Sequence, residues 1–311
     1  MIVLPEKATK PTMYFIGVTT TKSSIMKLFP YWMEILGVDA VIKGIDLPIH
    51  ADPGDYRTVV SFIKNDPLSM GALVTTHKID IYNAASDLFE YLDPYAEMFG
   101  EMSSISKKDG RLEGFAKDPI TSGLALDSFL PADWWDNGGD AFILGAGGSA
   151  ISVGSYILKQ EKLPRRLVVS NRSQGRLTNI EKMFRGIRPD ANMEFYLAPE
   201  AADNDNILSS LRPNSLVINA TGLGKDRPGS PLSDDCVFPY NGYVWEFNYR
   251  GDLRFMYQAL EQKQEKNLHV EDGWIYFLHG WTQVIAEVFH LDFTKDQFDA
   301  IERKSAEICG R

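Results

Sequence analysis

Three small residues at fixed spacing give the sequence its strongest chemical signal. Gly145, Gly147 and Ala150 match the pattern G-x-G-x-x-A, between the apolar segment AFIL and a segment with helical periodicity. Glycines so spaced form a tight turn in which backbone N–H groups approach a pyrophosphate, and the third small residue lets the helix pack on the strand. The spacing alone is weak evidence, and its position between strand and helix strengthens it. We therefore predict a dinucleotide-binding turn made by Gly145, Ala146, Gly147, Gly148 and Ser149.

The end of the next predicted strand discriminates between dinucleotides. In an NAD site this strand usually ends with an acidic residue that binds the ribose 2′-hydroxyl. Here it ends in Ser170-Asn171-Arg172-Ser173, and Arg176 follows one helical turn later. No carboxylate would repel a 2′-phosphate, and two guanidinium groups can pair with it, although both arginines are also explicable as solvated surface charges. The sequence therefore predicts NADP as the cofactor, bound by Asn171, Arg172, Ser173 and Arg176.

The segments before the glycine turn alternate between strand and helix patterns. Strands are predicted at 12–18, 40–49 and 70–78, and helices at 25–37, 55–66, 82–100 and 119–130. Residues 102–118 have the pattern of a hairpin that turns on Asp109-Gly110, a dipeptide suited to a two-residue turn. The segment PADWWDNGGD, residues 131–140, is predicted to be an exposed hinge.

The second half repeats this alternation. Strands are predicted at 141–145, 165–171, 192–198, 215–222 and 243–249, and helices at 148–160, 175–187, 204–211 and twice within 272–307. This order predicts a two-domain α/β protein, in which a doubly wound Rossmann-type domain binds NADP and the C-terminal helices return to the first domain. The expected division is 1–118 with 273–311 for substrate binding, 119–136 as linking helix and hinge, and 137–272 for NADP binding.

Composition and charge exclude several classes of partner. The 311 residues include 44% hydrophobic and 24% charged residues, as in ordinary globular proteins, and the net charge of −10 argues against nucleic acid or an anionic membrane. The two cysteines lie far apart without metal-type spacing, so we expect free thiols and no metal. The N-terminus lacks a signal-peptide pattern. These features predict a cytoplasmic protein with a small-molecule substrate, with a homodimer as one possible assembly.

Four motifs, in order and spacing, resemble those of the shikimate dehydrogenase family. They are VTTHK (74–78), GAGGSA (145–150), NRS (171–173) with Arg176, and INATGLG (218–224). The resemblance extends over nearly the whole chain and implies an NADP-dependent oxidoreductase whose N-terminal domain holds a cyclic hydroxy acid. It also implies cofactor contacts from Asn219, Ala220 and Thr221.

The resemblance also points to a catalytic pair. The family's lysine closes a stretch NVT-x-P-x-K, which aligns with ALVTTHK and indicates Lys78, and its aspartate closes NTD, which aligns with AKD and indicates Asp118. Oxidation of a secondary alcohol removes the hydroxyl proton as a hydride leaves the carbon. A lysine beside a carboxylate can bond that hydroxyl and carry its proton. Apart from the resemblance, the two residues would be unremarkable charges.

The substrate positions depart from the family pattern. Ser23 aligns with the first serine of Ser-x-Ser-Pro, but Ile25 replaces the second, with Lys22, Ser24 or the nearby threonines as alternative donors. Ala72 and Ser103 replace two asparagines. The positions aligned with the Asn and Thr of NTD hold Ala116 and Lys117, the aspartate of D-x-x-Y-N-P is Glu246, and the C-terminal glutamine aligns with Gly280. The resemblance leaves four substrate-binding candidates, Ser23, Ser103, Tyr249 and Gln283.

These departures favour altered specificity over lost catalysis. A site built to hydrogen-bond one substrate rejects analogues strongly, because unpaired buried polar groups are costly. We therefore expect reversible hydride transfer between NADP(H) and a hydroxylated cyclic acid or polyol. The alternatives are a true shikimate or quinate dehydrogenase, and a non-catalytic NADP or metabolite sensor with the same fold. Retention of both Lys78 and Asp118 favours an enzyme over a sensor.

Overall fold

The computed structural model describes residues 4–225 and 227–311, which divide into two compact units. Residues 1–3, part of the N-terminal segment considered above, and Asp226 lie outside the described residues. Unit 1 comprises the described part of Met1–Lys117 together with Gly280–Arg311, and unit 2 comprises the described part of Asp118–His279. None of the helices in the described ranges has the length and apolar content needed to cross a membrane.

Unit 1 is built on a six-stranded mixed sheet. Its strands are β1 (Thr12–Gly17), β2 (Val41–Asp46), β3 (Ser69–Val74), β4 (Tyr91–Leu92), β5 (Ser104–Lys108) and β6 (Arg111–Phe115). Its helices before residue 118 are α1 (Ile25–Leu36), α2 (Pro53–Asn65), α3 (Lys78–Ala85) and α4 (Pro94–Phe99). The strand order is β2-β1-β3-β5-β6-β4, in which β1 pairs parallel with β2 and β3, and β5 is antiparallel to β3 and β6. The hairpin predicted at Asp109-Gly110 is the β5–β6 connection.

The single helix predicted over residues 82–100 is wrong. The chain leaves α3 at Ala85, forms the short strand β4 beside β6, and begins α4 only at Pro94. Proline suits the first turn of a helix and interrupts its interior. Asp93 caps the new helix by accepting a hydrogen bond from Ala96 N at 2.8 Å, and it also accepts one from Ala116 N at 2.9 Å. The predicted strand 70–78 likewise ends early, at Val74, and Lys78 begins α3.

Unit 2 is built on a parallel six-stranded sheet. Its strands are β7 (Ala141–Leu144), β8 (Leu167–Asn171), β9 (Met193–Leu197), β10 (Leu216–Asn219), β11 (Tyr243–Glu246) and β12 (His269–Glu271). Its helices are α5 (Asp118–Asp127), α6 (Gly148–Leu158), α7 (Gln174–Ile187), α8 (Ala201–Ser209) and α9 (Arg254–Lys266). The order β12-β11-β10-β7-β8-β9 reverses beside β7, the arrangement of a doubly wound fold. The elements α9 and β12 were not predicted from the sequence.

The central strands of unit 2 are apolar on both sides because helices cover both faces of a parallel sheet. Ile143 and Ile218 belong to one apolar cluster, and Phe142 and Val217 belong to the cluster on the other side. The predicted hinge also contributes, since Trp134 is 2% exposed in the first cluster and its Nε1 donates to the backbone oxygen of Asn214 at 2.9 Å. Residues 131–140 are therefore not a uniformly exposed hinge, because this indole anchors the segment to unit 2.

Two helices complete the chain. They are α10 (Trp274–Phe289) and α11 (Lys295–Cys309), as expected from the sequence. The division between the units falls within α10, at His279/Gly280. In unit 1, α11 is tied to α1 by a hydrogen bond of 2.8 Å from Trp32 Nε1 to Ser305 Oγ, and both side chains are fully buried. This bond fixes the C-terminal helix on unit 1.

Candidate functional site

The glycine turn lies at the carboxyl edge of the sheet in unit 2. Gly145 has φ of +113°, and a Cβ at this position would lie 2.8 Å from Ala220 O, so a larger residue would strain the backbone and collide with the neighbouring loop. Gly147 is the N-cap residue of α6, and a Cβ there would meet nothing within 4 Å. The helix therefore starts beside open space, where its first N–H groups can receive an anion.

A cavity of about 230 Å³ lies at this edge, within unit 2. The strand ends of β7, β8, β9 and β10 and the segments that follow them supply its walls. Its lining residues are Leu144, Gly145, Gly147, Ser170, Asn171, Arg172, Arg176, Ala198, Pro199, Glu200, Ala201, Asn204, Ala220, Thr221, Leu223, Arg227, Ser230 and Pro231. Seven predicted cofactor residues are thus brought together, namely Gly145, Gly147, Asn171, Arg172, Arg176, Ala220 and Thr221.

Three arginines on this cavity have side chains without a polar partner among the described residues. They are Arg172, Arg176 and Arg227, all exposed. By contrast, Arg165 in the same unit forms two hydrogen bonds of 2.8 and 2.7 Å with the buried carboxylate of Asp140. Uncompensated guanidinium groups around a cavity favour a phosphate-bearing ligand. The lining includes one carboxylate, that of Glu200, the N-cap residue of α8.

Sequence reasoning missed part of this cavity. Arg227 and Asn204 line it but were not predicted, because they reach the glycine turn only through the tertiary fold. Asn204 joins two segments of the wall, since its Oδ1 accepts from Ser170 Oγ at 2.6 Å and its Nδ2 donates to Pro231 O at 2.9 Å. The sequence signal that could have indicated Arg227 is its position as a basic residue in the glycine- and proline-rich stretch after INATGLG.

Five predicted cofactor residues are not among the lining residues. Ala146 is buried in the turn, Gly148 and Ser149 form the first turn of α6, and Ser173 is the N-cap residue of α7. The fifth, Asn219, is fully buried, and its side chain bonds within the protein. Its Oδ1 accepts from Thr221 N at 3.1 Å and from Thr221 Oγ1 at 2.6 Å, which gives Asn219 a role in shaping the adjoining loop.

A buried carboxylate is hydrogen-bonded to Asn219 at the start of this loop. Glu246, at the end of β11, is 0% exposed and accepts from Asn219 Nδ2 at 2.7 Å, from Asn248 N at 2.8 Å and from Asn248 Nδ2 at 2.6 Å. Burial raises the pKa of the Glu246 carboxyl from 4.5 to about 7; the hydrogen bonds from Asn248 and Asn219 oppose this rise, and nearby Asp272 adds to it. The network ends on Leu223 O, which accepts from Asn248 Nδ2 at 2.9 Å.

The two predicted catalytic residues each begin a helix. In unit 1, Lys78 is the first residue of α3; its N–H donates to Thr75 O at 3.1 Å, and its carbonyl accepts from Met102 N at 3.1 Å. In unit 2, Asp118 is the first residue of α5, and its carbonyl accepts from Thr121 Oγ1 at 3.0 Å. Both residues are half-buried. Their cooperation in catalysis stays a prediction.

His77, next to Lys78, belongs to the core of unit 1. Its ring is fully buried, and Nδ1 lies 2.9 Å from the hydroxyl of Tyr56. That hydroxyl also donates to Asp80 Oδ2 at 3.2 Å and accepts from Ala51 N at 3.2 Å. This cluster ties the start of α3 to α2 and so fixes the backbone that carries Lys78.

Ser103 and Lys117 are engaged within unit 1. Ser103 is 3% exposed, and its Oγ accepts from Lys117 N at 2.8 Å and donates to Phe115 O at 3.4 Å. The ammonium of Lys117 pairs with the carboxylate of Glu287 on α10 and lies 4.6 Å from the ring centroid of Phe115. The Ser103 hydroxyl therefore holds the end of the β5–β6 hairpin.

The other substrate candidates lie on short connections or on α10. In unit 1, Ser23 follows a single helical turn at Thr20–Lys22, and Gln283 is half-buried on α10. A Cβ on Gly280 would meet nothing within 4 Å. Tyr249, in unit 2, packs its ring against Phe277 with centroids 4.6 Å apart.

Two positions where the resemblance leads us to expect polar side chains are apolar and fully buried. Ile25 and Ala72 are both 0% exposed within unit 1. An isolated polar group at such a position would need a hydrogen-bond partner to offset its desolvation.

No family model matches the chain. Curated relatives include proteins named shikimate dehydrogenase (NADP(+)). The protein of Streptococcus thermophilus is 30% identical over 176 residues, which cover 56% of this chain and 58% of that protein. The Methylobacterium radiotolerans protein is 26% identical over 228 residues, 72% and 73% of the two chains. The chain therefore spans less than two thirds of the streptococcal relative and more than two thirds of the methylobacterial one.

Solved structures share the fold. Shikimate 5-dehydrogenase from Thermus thermophilus, in complex with NADP(H) and shikimate, is 22% identical with a TM-score of 0.68, covering 94% of this chain and 99% of that one. Quinate dehydrogenase from Corynebacterium glutamicum, in complex with NAD, is 16% identical with a TM-score of 0.77, covering 96% and 99%. The predicted α/β fold with a Rossmann-type domain is confirmed. The chain is therefore similar in sequence to curated shikimate dehydrogenases and in fold to shikimate and quinate dehydrogenases.

Proposed function

We propose that the protein is an NADP(H)-dependent oxidoreductase that acts on the CH–OH group of a hydroxylated cyclic acid or polyol. The observation that carries this proposal is the cavity at the glycine turn, where Arg172 and Arg176 have no polar partner among the described residues. The relatives named shikimate dehydrogenase (NADP(+)) support the same reaction class.

The residues present suit a 2′-phosphorylated dinucleotide. Gly145 and Gly147 would hold the diphosphate with backbone N–H groups, because the start of α6 faces open space. Arg172 and Arg176 would pair with the 2′-phosphate, whose charge calls for more than one cation. When bound, NADP would supply the acceptor or donor of the hydride. Arg227 adds a third cation to the same cavity.

Lys78 and Asp118 move the proton in this proposal. As the substrate carbon gives up a hydride, the hydroxyl proton would pass to the Lys78 side chain, which accepts it as the neutral amine and becomes the ammonium, and Asp118 would orient that group. A positioned acid–base group of this kind contributes roughly 10²–10⁴-fold to a rate. The backbone bonds of Lys78 to Thr75 and Met102 support a fixed position for its stem.

The substrate differs from shikimate in this proposal. Ile25 and Ala72 are buried apolar residues, and Gly280 has no side chain, so none of the three can supply the hydrogen bond that the resemblance leads us to expect. Ser23, Tyr249 and Gln283 remain as polar contacts. A related hydroxylated acid or polyol with fewer or differently placed hydroxyl groups fits these residues better than shikimate does.

Titration of the purified protein with NADP+ and NAD+ tests the cofactor. We expect NADP+ to bind much more tightly, and Arg172→Asp to erase the preference by weakening NADP+ binding by about 1.5–3 kcal/mol, the range for a hydrogen bond to a charged group. Arg212→Ala is the control, because this exposed arginine of unit 2 does not line the cavity. Equal affinities in the wild type would contradict the assignment.

A screen of cyclic and linear hydroxy acids and polyols for NADPH formation tests the substrate. We expect at least one compound to be oxidised faster than shikimate. Fast oxidation of shikimate would show that the apolar replacements matter less than proposed. Tight NADP+ binding without turnover of any compound would favour the sensor alternative.

A further inference from the structure

The loop after β10 forms part of the nucleotide cavity without belonging to the sheet. Ala220, Thr221 and Leu223 line the cavity, and Gly145 packs so closely on Ala220 that no side chain would fit between them. The loop is shaped by side chains. Asn219 Oδ1 accepts two hydrogen bonds from Thr221, and Thr221 Oγ1 accepts one from Leu223 N at 3.1 Å. The wall of the cavity therefore depends on the orientation of the Asn219 amide.

Glu246 sets the orientation of the Asn219 amide by accepting a hydrogen bond from its Nδ2. Its two carboxylate oxygens receive three donors, one from Asn219 and two from Asn248. A carboxylate only accepts hydrogen bonds, so it forces the NH₂ group of Asn219 toward itself and leaves Oδ1 for Thr221. Oε1 receives two donors and Oε2 receives one, so three of the roughly four acceptor positions of the ionised carboxylate are used.

We propose that Glu246 is a positioning residue for nucleotide binding, whose ionised carboxylate fixes the Asn219 amide and thereby the cavity wall formed by Ala220, Thr221 and Leu223. This inference rests on the proposed function, because it presumes that the cavity binds a dinucleotide. Glu246 is itself fully buried and does not line the cavity, so it acts through Asn219 and Asn248.

Glu246→Gln tests the inference while keeping the size of the side chain. The new amide presents an NH₂ group to donors on Asn219 or Asn248, so one of them must turn. At about pH 8, where most of the wild-type carboxyl is ionised, we expect the affinities for NADP+ and NAD+ both to fall about tenfold, the equivalent of one hydrogen bond. The ratio of the two affinities should stay unchanged, because Arg172 and Arg176 are untouched. Arg172→Asp, in contrast, should change the ratio.

Asp140→Asn is the matched control. Asp140 is also fully buried in unit 2, but it precedes β7 and bonds Arg165 at the opposite end of that strand from the glycine turn. We expect this variant to lower the melting temperature at least as much as Glu246→Gln does, with nucleotide affinities within twofold of the wild type. A general loss of stability would therefore not mimic the effect.

The double variant Asn219→Asp with Glu246→Gln exchanges acceptor and donor across the same contact. The aspartate introduced in place of Asn219 would accept from the new glutamine and still accept from Thr221, so affinity should recover to within threefold of the wild type. Glu246→Asp, which keeps the charge on a shorter side chain, supplies a milder variant if Glu246→Gln does not fold.

The outcomes separate the inference from the proposed function. Loss of both affinities at constant ratio in Glu246→Gln, with recovery in the double variant, supports the positioning role. Wild-type affinity in Glu246→Gln, or a double variant weaker than the single one, overturns it. A wild type that binds neither nucleotide would overturn the proposed function, and the inference with it.

Discussion

Around the nucleotide cavity of unit 2, Arg172, Arg176 and Arg227 have side chains with no polar partner among the described residues, whereas in unit 1 Ser103 and Lys117 are bonded within the fold. The first arrangement leaves charge available for a ligand. The second uses its polar groups to hold a hairpin and α10. A phosphate-binding site can therefore be proposed from general chemistry, while a substrate site can be defined only with the substrate in hand.

Substitution of Lys78, the predicted proton carrier, is expected to have the largest effect in this comparison. We expect Lys78→Ala to lower kcat on the true substrate by roughly 10²–10⁴-fold, the usual contribution of a positioned acid–base group. The dissociation constant for NADP+, measured by titration, should hardly change, because Lys78 belongs to unit 1 and the nucleotide cavity lies within unit 2. Full turnover in this variant would remove Lys78 from the mechanism.

The pH dependence of stability gives a second test, because two titratable side chains of unit 2, Glu246 and His279, are largely removed from water. Burial raises the pKa of Glu246 from 4.5 to about 7 and lowers the pKa of His279 from 6.5 to about 4. The contribution of Glu246 to the free energy of unfolding is full below pH 4.5 and is lost as the pH rises to about 7. The contribution of His279 to the same free energy is full above pH 6.5 and is lost as the pH falls to about 4. The two slopes oppose each other, each at about 1.4 kcal/mol per pH unit.

Glu246→Gln removes the Glu246 contribution to the pH dependence of stability, because glutamine does not titrate. The free energy of unfolding of the wild type minus that of the variant should therefore fall by on the order of 3 kcal/mol between pH 4.5 and pH 7. Chemical denaturation of both proteins across this range measures the difference, in which the contributions of groups that do not interact with Glu246 cancel. A difference that does not vary with pH would mean that Glu246 stays ionised throughout.

The sequence was sufficient to place together those predicted site residues that depend on local backbone geometry. The glycine turn and the Asn171–Arg172 strand end follow from residues adjacent in the chain, and the structure brings them to one cavity. The loop network of Asn219, Glu246 and Asn248 was beyond sequence reasoning, because its partners come from two strand ends about 27 residues apart.

Two segments, residues 82–100 and 131–140, were assigned wrongly from the sequence because contacts with other parts of the fold decide their structure. The segment 82–100 has apolar residues at helical spacing, but pairing of Tyr91 and Leu92 with β6 and the cap at Asp93 outweigh that propensity. Trp134 lies in a polar, glycine-rich segment that is typical of a linker, and only the tertiary fold shows that its indole is buried. Such contacts cannot be read from periodicity.

Arg227 sharpens the comparison at the nucleotide end. We expect Arg227→Ala to weaken NADP+ binding about tenfold, within the range for loss of one charge-assisted contact. Titration with NADP+ and NAD+ shows which phosphate it serves, since an equal loss for both nucleotides assigns it to the shared diphosphate and a loss confined to NADP+ assigns it to the 2′-phosphate. Arg212→Ala serves again as the control. Unchanged affinity for both nucleotides would leave Arg227 outside the binding site.

The smallest expected effect concerns Gly280, in unit 1. Because a Cβ at this position meets nothing within 4 Å, alanine fits, and it should stabilise the interior of α10 by roughly 0.5–1 kcal/mol relative to glycine. Gly280→Gln also restores the side chain that the resemblance places here. We expect it to raise kcat/KM for shikimate by several fold, about the effect of one added hydrogen bond, while Gly280→Ala leaves it unchanged. Equal rates for the two variants would show that the missing glutamine does not decide the specificity of the substrate end.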